Sequence, residues 1–285
     1  MRVIRSFRGL QAWRREQDEF PGNIGFVPTM GALHRGHLSL IEKARKQCDL
    51  VVVSVFVNPL QFGPTEDLER YPRTLKADRR VCREGGVDVL FLPSQEELYP
   101  EDFQTTVKVK TLSQRWEGGS RPTHFEGVAT VVAKLLCLVK PDFSYFGQKD
   151  YQQLLVVQRM VRDLNIEGKI VPCPTVREPD GLALSSRNRY LSTAGREKAL
   201  LLYAALSEGA KLIRQGETRG KFIQARMNRV CGKHSGIRVD YLAACDAQTL
   251  DPVTRAKGRV VLLGAIRIGK IRLIDNVLVK VSENS

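Results

Sequence analysis

Hydrophobic positions in the first two thirds of the chain alternate between strand-like and helix-like spacings. Leu50 to Val57 is a nearly continuous β-branched run, which is typical of a strand buried on both faces. Leu75 to Glu84 is helical and is followed by Gly85-Gly86, a pair that favours a helix C-cap. Thr105 to Val109 also has strand character. Further strands are predicted at Val3-Ile4, Ile24 to Pro28, Val87 to Leu92, Phe143 to Phe146 and Ile170-Val171, and further helices at Leu10 to Glu16, Leu38 to Ala44, Val128 to Val139 and Tyr151 to Leu164. This alternation predicts an α/β fold built on a doubly wound parallel sheet, with ligands at the carboxyl ends of its strands.

The pattern changes after a proline-rich passage, Pro172 to Gly181, which we interpret as a hinge. The segments that follow are helices at Thr193 to Gln215 and Arg219 to Lys233, then strands at Arg238 to Ala243, Arg259 to Ile268 and Ile271 to Val281. Helices followed by a small antiparallel sheet predict a second, α+β domain. We therefore place the domains at residues 1–176 and 177–285.

Composition excludes several classes of protein. No uncharged apolar run approaches the ~20 residues that span a bilayer, so we expect a cytoplasmic protein with no membrane partner. The six cysteines form no C-x-x-C pair, so we expect reduced, buried and inert thiols rather than metal ligands. The net charge of +14 is spread along the chain, with never more than two basic residues in a row. Because the basic residues are dispersed, we expect no nucleic-acid partner; the excess of positive charge suits small polyanionic substrates about as well.

The strongest chemical signal is the H-x-G-H sequence from His34 to His37, which holds half of the four histidines. It lies at a predicted strand-to-helix turn, where two imidazoles and the unpaired amides of a helix start can hold a triphosphate. Gly31 and Gly36 would let the main chain approach such a ligand closely.

Three further polar clusters follow predicted strands or the hinge. Asn58 and Gln61 follow the buried strand, and the amide of Gln61 can bind a hydroxylated substrate. Gly147-Gln148-Lys149-Asp150 opens a helix, and its lysine and acid suit phosphates and a hydrated Mg²⁺, with Gln153 one turn further on. Leu184-Ser185-Ser186-Arg187-Asn188 follows the hinge and suits a leaving polyphosphate.

Competing motifs fail on their context. Gly264 to Lys270 matches a phosphate loop, but Ile271 replaces the required Ser or Thr, and the segment lies between two strands as a hairpin would. The chain has neither a dinucleotide fingerprint after a strand nor the elbow of a serine hydrolase.

The clusters, taken in order, resemble the signature blocks of the pantothenate synthetase (pantoate–β-alanine ligase) family. The blocks are Pro28 to His37, Phe56 to Phe62, Arg70 to Thr74, Phe146 to Gln153 and Leu184 to Asn188, with Gly269 to Asn276 resembling the family's C-terminal end. The resemblance implies a Rossmann-like N-terminal domain and a smaller C-terminal lid, in a homodimer. It also implies condensation of pantoate with β-alanine, using ATP and Mg²⁺ and releasing AMP and pyrophosphate through a pantoyl-adenylate.

The resemblance assigns roles by position. His37 and His34, with Lys149 and Arg187, would stabilise the reacting phosphates; Gln61 would bind pantoate and β-alanine, Gln153 would bind pantoate, and Asn58 would line the substrate site. The ATP site would comprise Met30, Gly31, Ala32, Leu33, His34, Arg35, Gly36, His37, Gly147, Gln148, Lys149, Asp150, Val176, Leu184, Ser185, Ser186 and Arg187. The last block would stand in for the K-M-S-K-S loop of class I synthetases.

Two positions depart from the family pattern. Leu184 stands where methionine is common, a swap of similar volume. Some members carry consecutive acids where Lys76-Ala77-Asp78 stands here, and only Asp78 remains at that place. The metal candidates are therefore Asp78 and, from the helix-opening cluster, Asp150, each acting through water. The alternative hypotheses are a nucleotidyltransferase of the H-x-G-H superfamily and a basic RNA-binding protein on a synthetase-like scaffold.

Overall fold

A computed structural model describes residues 1–64, 66–232 and 234–281. The chain divides into two units, one made of Met1–Gln148 and Gln152–Pro174, the other of Lys149–Tyr151 and the chain from Thr175.

The first unit contains the predicted doubly wound sheet. Its six strands run parallel in the order β1-β4-β3-β2-β5-β6. They are β1 (Arg2–Ile4), β2 (Ile24–Thr29), β3 (Leu50–Val55), β4 (Val89–Phe91), β5 (Phe143–Gly147) and β6 (Lys169–Cys173). Because β2 and β5 are neighbours, the H-x-G-H turn after β2 and Gly147-Gln148 at the end of β5 lie on the same edge of the sheet.

Seven helices of the described residues lie between or beside these strands, five of them where the pattern predicts a helix. They are α1 (Phe7–Arg15), α2 (Arg35–Gln47), α3 (Leu75–Glu84), α4 (Gln95–Leu98), α5 (Glu117–Ser120), α6 (His124–Val139) and α7 (Tyr151–Asp163). The short α4 and α5 were not predicted. The core on one side of the sheet includes Val27, Val51 and Val53, packed with Ile41 and Ala44 of α2. Burial of each large apolar side chain stabilises the fold by about 1.5–3 kcal/mol. This packing also fixes the position of the end of β2, where the H-x-G-H turn begins.

The second unit has the predicted order of helices and then strands. It contains α8 (Thr193–Arg214) and α9 (Gly220–Cys231), then the antiparallel sheet of β7 (Ile237–Asp246), β8 (Arg259–Ile268) and β9 (Ile271–Lys280). Gly264 to Lys270 belongs to the β8–β9 hairpin, so it is not a phosphate loop. Lys233, the predicted end of α9, lies outside the described residues.

Two predictions are corrected. Thr105 to Val109 is not a strand; Val107 N–H donates instead to Thr130 Oγ1 at 2.9 Å, a side-chain contact that hydrophobic spacing does not encode. Cys137 is exposed, whereas the other five cysteines are buried as predicted, and all six are free thiols. Within the described ranges, no helix is both long and apolar enough to cross a membrane.

Candidate active site

The H-x-G-H turn is a helix N-cap made of two imidazoles. His34 caps α2 by accepting the Gly36 N–H at Nδ1 (3.1 Å), and His37 Nδ1 accepts the His34 N–H (3.3 Å). The two ring centroids lie 4.1 Å apart. Because both Nδ1 atoms accept, the ring hydrogen of each imidazole is on Nε2.

The backbone before the imidazoles is held in an unusual conformation. Gly31 and Ala32 have positive φ angles of 82° and 51°. A Cβ at residue 31 would lie 2.9 Å from Val55 Cγ1 and 3.0 Å from a carboxylate oxygen of Asp78, so only glycine fits there. Thr29 Oγ1 accepts the Gly31 N–H at 3.1 Å, which closes the turn directly after β2.

Asp78 of α3 holds this turn from the other side. Its Oδ1 accepts the Leu33 N–H (2.8 Å) and the Thr74 hydroxyl (3.1 Å), and its Oδ2 accepts the Ala32 N–H (3.2 Å). The residue is 1% exposed. These contacts differ from the predicted metal contact, because both oxygens are directed at donors of the protein.

Gln61 lies in a 3₁₀ turn, Pro59–Gln61, that follows β3. Its backbone carbonyl oxygen accepts from His124 Nδ1 (2.8 Å) and from the Arg121 guanidinium (3.2 Å). Burial lowers the pKa of His124 to about 4, so the ring is neutral at pH 7 with its hydrogen on Nδ1. Burial acts to raise the pKa of Glu66, but a two-pronged ion pair with Arg121 (2.6 Å for each contact) holds it below its ordinary value.

Asn58, predicted to line the substrate site, is 1% exposed. Its Nδ2 donates to Gln61 Oε1 (3.1 Å) and Gly127 O (3.0 Å), and its Oδ1 accepts from Tyr99 OH (2.8 Å) and Leu60 N–H (3.3 Å). The structure therefore gives this amide protein partners for all four of its hydrogen bonds.

Two adjacent glutamines of α7 have different surroundings. The amide of Gln152 is buried; it accepts the Glu117 N–H (3.1 Å) and donates to the carbonyls of Leu112 and Arg115 (both 2.7 Å). Gln153 is partly exposed, and its amide makes no hydrogen bond within the described residues. Gln153 can therefore offer a donor and an acceptor to a ligand.

Lys149, Asp150, Val176 and the loop Leu184 to Arg187, all predicted ATP-site residues, belong to the second unit. Lys149 Nζ lies 3.4 Å from Asp150 Oδ1, and Asn276 Nδ2 donates to the carbonyl oxygen of Lys149 (2.9 Å). The Leu184 N–H donates to Val176 O (3.0 Å), so these two predicted residues are backbone partners. Ser185 caps a 3₁₀ turn, Ser186–Tyr190, by accepting the Arg187 N–H (3.3 Å).

The block Gly269 to Asn276 forms the hairpin tip and the first part of β9 rather than a loop. Asp275 makes a two-pronged ion pair with Arg177 (2.6 and 2.9 Å), whose guanidinium stacks 3.7 Å from the ring centroid of Tyr203. Within this unit, Asp275 thus holds the side chain of Arg177, and Asn276 holds the backbone of Lys149.

Sequence reasoning missed the supports of Gln61, namely His124, Arg121 and Tyr99. They come from segments far along the chain, and only the fold brings them to the 3₁₀ turn. A single histidine before an apolar helix was the one available signal, and it does not distinguish a core residue from a site residue.

Comparisons with known proteins agree with this architecture. A sequence model described as pantoate–β-alanine ligase matches residues 2–278. The pantothenate synthetase of Moorella thermoacetica is 52% identical over 261 residues, covering 92% of each chain. A crystal structure of the Thermus thermophilus enzyme superposes with a TM-score of 0.92 at 50% identity, covering 97% of this chain and 99% of that one. The Francisella tularensis pantoate–β-alanine ligase, complexed with β-γ ATP and β-alanine, gives a TM-score of 0.80 at 38% identity, covering 98% of this chain and 97% of that one. The chain therefore belongs to the pantoate–β-alanine ligase family.

Proposed function

We propose that this protein condenses pantoate with β-alanine in two steps. In the first, the pantoate carboxylate attacks the α-phosphorus of ATP, and the bond to pyrophosphate breaks. In the second, the amine of β-alanine attacks the acyl carbon of the pantoyl-adenylate, and AMP leaves as pantothenate forms. Family membership supports the overall condensation, and the ATP and β-alanine bound to the Francisella relative support those two substrates.

The observation that carries the proposal is the imidazole pair at the start of α2. Because both Nδ1 atoms accept backbone N–H groups, the two Nε2–H groups and the helix N-terminus can donate to phosphate oxygens. Adenylation needs no protein nucleophile, so such donors supply its main requirement, stabilisation of charge on the phosphoryl oxygens and on pyrophosphate. Lys149 and Arg187 would add fixed positive charge.

Magnesium would enter with ATP rather than occupy a site of its own. Residues 1–64, 66–232 and 234–281 contain no group of three or more His, Cys, Asp or Glu side chains that could hold a metal ion. The oxygens of Asp78 are engaged by backbone N–H groups, which does not fit direct ligation. Asp150, whose side chain is 47% exposed, fits contact with a hydrated Mg²⁺ carried by the phosphates, where the ion would supply positive charge.

Residues 1–176 would bind ATP and pantoate, residues 177–285 would act as the lid, and the protein would be a homodimer. Gln61, Gln153 and the ATP-site residues named from the sequence would take the roles that the resemblance assigns.

The test is an assay for AMP with pantoate, β-alanine and ATP supplied singly and together. We expect AMP and pantothenate in equal amounts only when all three are present. A nucleotidyltransferase would instead keep the adenylyl group on its product and release no AMP. AMP formation that ignores pantoate would contradict the proposal.

A further inference from the structure

The orientation of the Asn58 amide is fixed by two backbone groups. Gly127 O can only accept a hydrogen bond, so the atom 3.0 Å from it must be the Nδ2 donor. The Leu60 N–H can only donate, so the atom 3.3 Å from it must be Oδ1. Neither contact survives if the amide is turned over.

That orientation decides which end of Gln61 faces Asn58. The second hydrogen of Asn58 Nδ2 needs an acceptor, and Gln61 Oε1 supplies it at 3.1 Å. Gln61 Nε2 is therefore directed the other way, to Met30 Sδ at 3.0 Å. A thioether is a weak acceptor, so a ligand oxygen that replaces it would make a stronger hydrogen bond.

Tyr99 holds the far side of the same chain of hydrogen bonds. Its hydroxyl donates to Asn58 Oδ1 at 2.8 Å, which is shorter than the 3.3 Å contact from Leu60. The ring packs against Phe56 and Phe103, with centroid distances of 6.1 and 5.0 Å. Burial raises the pKa of Tyr99, so the phenol keeps its proton and stays a donor.

The backbone beside Gln61 is held equally closely. A Cβ on residue 127 would lie 2.3 Å from Leu60 O and 2.6 Å from Gln61 N, so α6 can approach the 3₁₀ turn only through a glycine. Main chain and side chain of Gln61 are thus both fixed from α6, Asn58 and Tyr99.

We propose that Tyr99 and Asn58 are positioning residues that keep the NH₂ end of Gln61 directed at the substrate, so that the pocket selects an acceptor oxygen. This rests on the proposed function, in which the ligand is pantoate, a hydroxy acid rich in such oxygens. Asn58 acts through Gln61 instead of touching the substrate.

Tyr99→Phe removes only the hydroxyl and tests the relay. We expect the KM for pantoate to rise about three- to tenfold, as for loss of one hydrogen bond, with kcat and the KM for ATP changed less than about twofold. Tyr145→Phe is the matched control, because its buried hydroxyl contacts Gln47 (3.0 Å) and Cys48 (3.2 Å) instead. An unchanged pantoate KM in Tyr99→Phe, or an equal rise for ATP, would overturn the inference.

Gln61→Glu tests which end faces the ligand. A carboxylate has no donor, so with one oxygen held by Asn58 the other would repel the oxygens of pantoate. We expect Gln61→Glu to bind pantoate about tenfold or more weakly than Gln61→Ala, measured by titration calorimetry. Tighter binding by Gln61→Glu than by Gln61→Ala would mean that the acceptor end faces the substrate, and would overturn the inference. If the wild type shows no pantoate-dependent AMP formation, the proposed function itself fails, whatever the variants do.

Discussion

At the scale of single residues, identical side chains take different roles according to their partners. Gln152 and Gln153 are neighbours, and the sequence alone cannot rank them by burial. In the structure the amide of Gln152 is bonded to three backbone groups, whereas Gln153 is partly exposed and has no such bonds among the described residues. Gln153 was selected by its position one helical turn after Asp150 and by the family resemblance, whereas hydrophobic spacing does not distinguish it from Gln152.

Substitution of these glutamines should separate substrate binding from folding. Gln61→Ala and Gln153→Ala should each weaken pantoate use by about 1–3 kcal/mol, because each removes a hydrogen-bonding amide, with ATP affinity nearly unchanged. Steady-state kinetics with each substrate varied measures this. Gln152→Ala is the control: it should lower the free energy of unfolding by about 1–3 kcal/mol and leave the pantoate KM unchanged. Equal losses for ATP and pantoate would show that Gln61 and Gln153 are misplaced.

His124 should make stability depend on pH. Its pKa is about 4 in the folded protein and 6.5 ordinarily, so between these values the unfolded chain binds a proton that the folded chain excludes. The contribution of His124 to stability is therefore complete above pH 6.5 and is lost as the pH falls towards 4, by at most about 1.4 kcal/mol per pH unit.

Urea unfolding at pH 7, 6 and 5 measures this slope. His124→Gln keeps a donor for the Gln61 carbonyl but does not titrate, so the variant should show a shallower dependence than the wild type. Identical slopes in the two proteins would contradict the assignment of His124 as a buried neutral donor.

At the scale of elements, periodicity predicted those that bury an apolar face. The bounds of α3 and β8 agree residue for residue with the pattern. The short helices α4 and α5 have four residues each, too few to show a period, and they were not predicted. The 3₁₀ turn that presents Gln61 depends on contacts with α6, which no local pattern reveals.

The turn from Met30 to His34 depends on α3 through Asp78. Asp78→Asn replaces one acceptor by an NH₂ group that faces backbone N–H donors. We therefore expect the free energy of unfolding to fall by about 1–3 kcal/mol and the KM for ATP to rise severalfold. Thermal unfolding and ATP kinetics measure both.

Asp88→Asn is a matched control for that substitution. Asp88 accepts the Val51 N–H at 2.7 Å near the start of β3, on the opposite edge of the sheet from the H-x-G-H turn. The Asp88→Asn variant should therefore be less stable than the wild type but bind ATP with unchanged affinity. If Asp78→Asn instead keeps its stability but needs more Mg²⁺, then Asp78 binds the metal.

At the scale of the whole molecule, the sequence predicted the fold class and the order of the chemical clusters. It did not reveal the supports between distant segments, such as Tyr99 on Asn58 or Asn276 on Lys149, because these depend on tertiary geometry. The net charge of +14 did not identify a substrate either, since dispersed basic residues suit many anions.

The most direct test of the account is exchange of labelled pyrophosphate into ATP without β-alanine. An adenylate formed before the amine is needed predicts exchange with pantoate, ATP and Mg²⁺, and none when pantoate is omitted. His37→Ala should slow this exchange by about 10²-fold or more, because an N–H donor to the phosphates is lost. The same variant should slow attack of β-alanine on supplied adenylate much less, since no triphosphate takes part in that step. Exchange that requires β-alanine, or normal exchange in His37→Ala, would contradict the account.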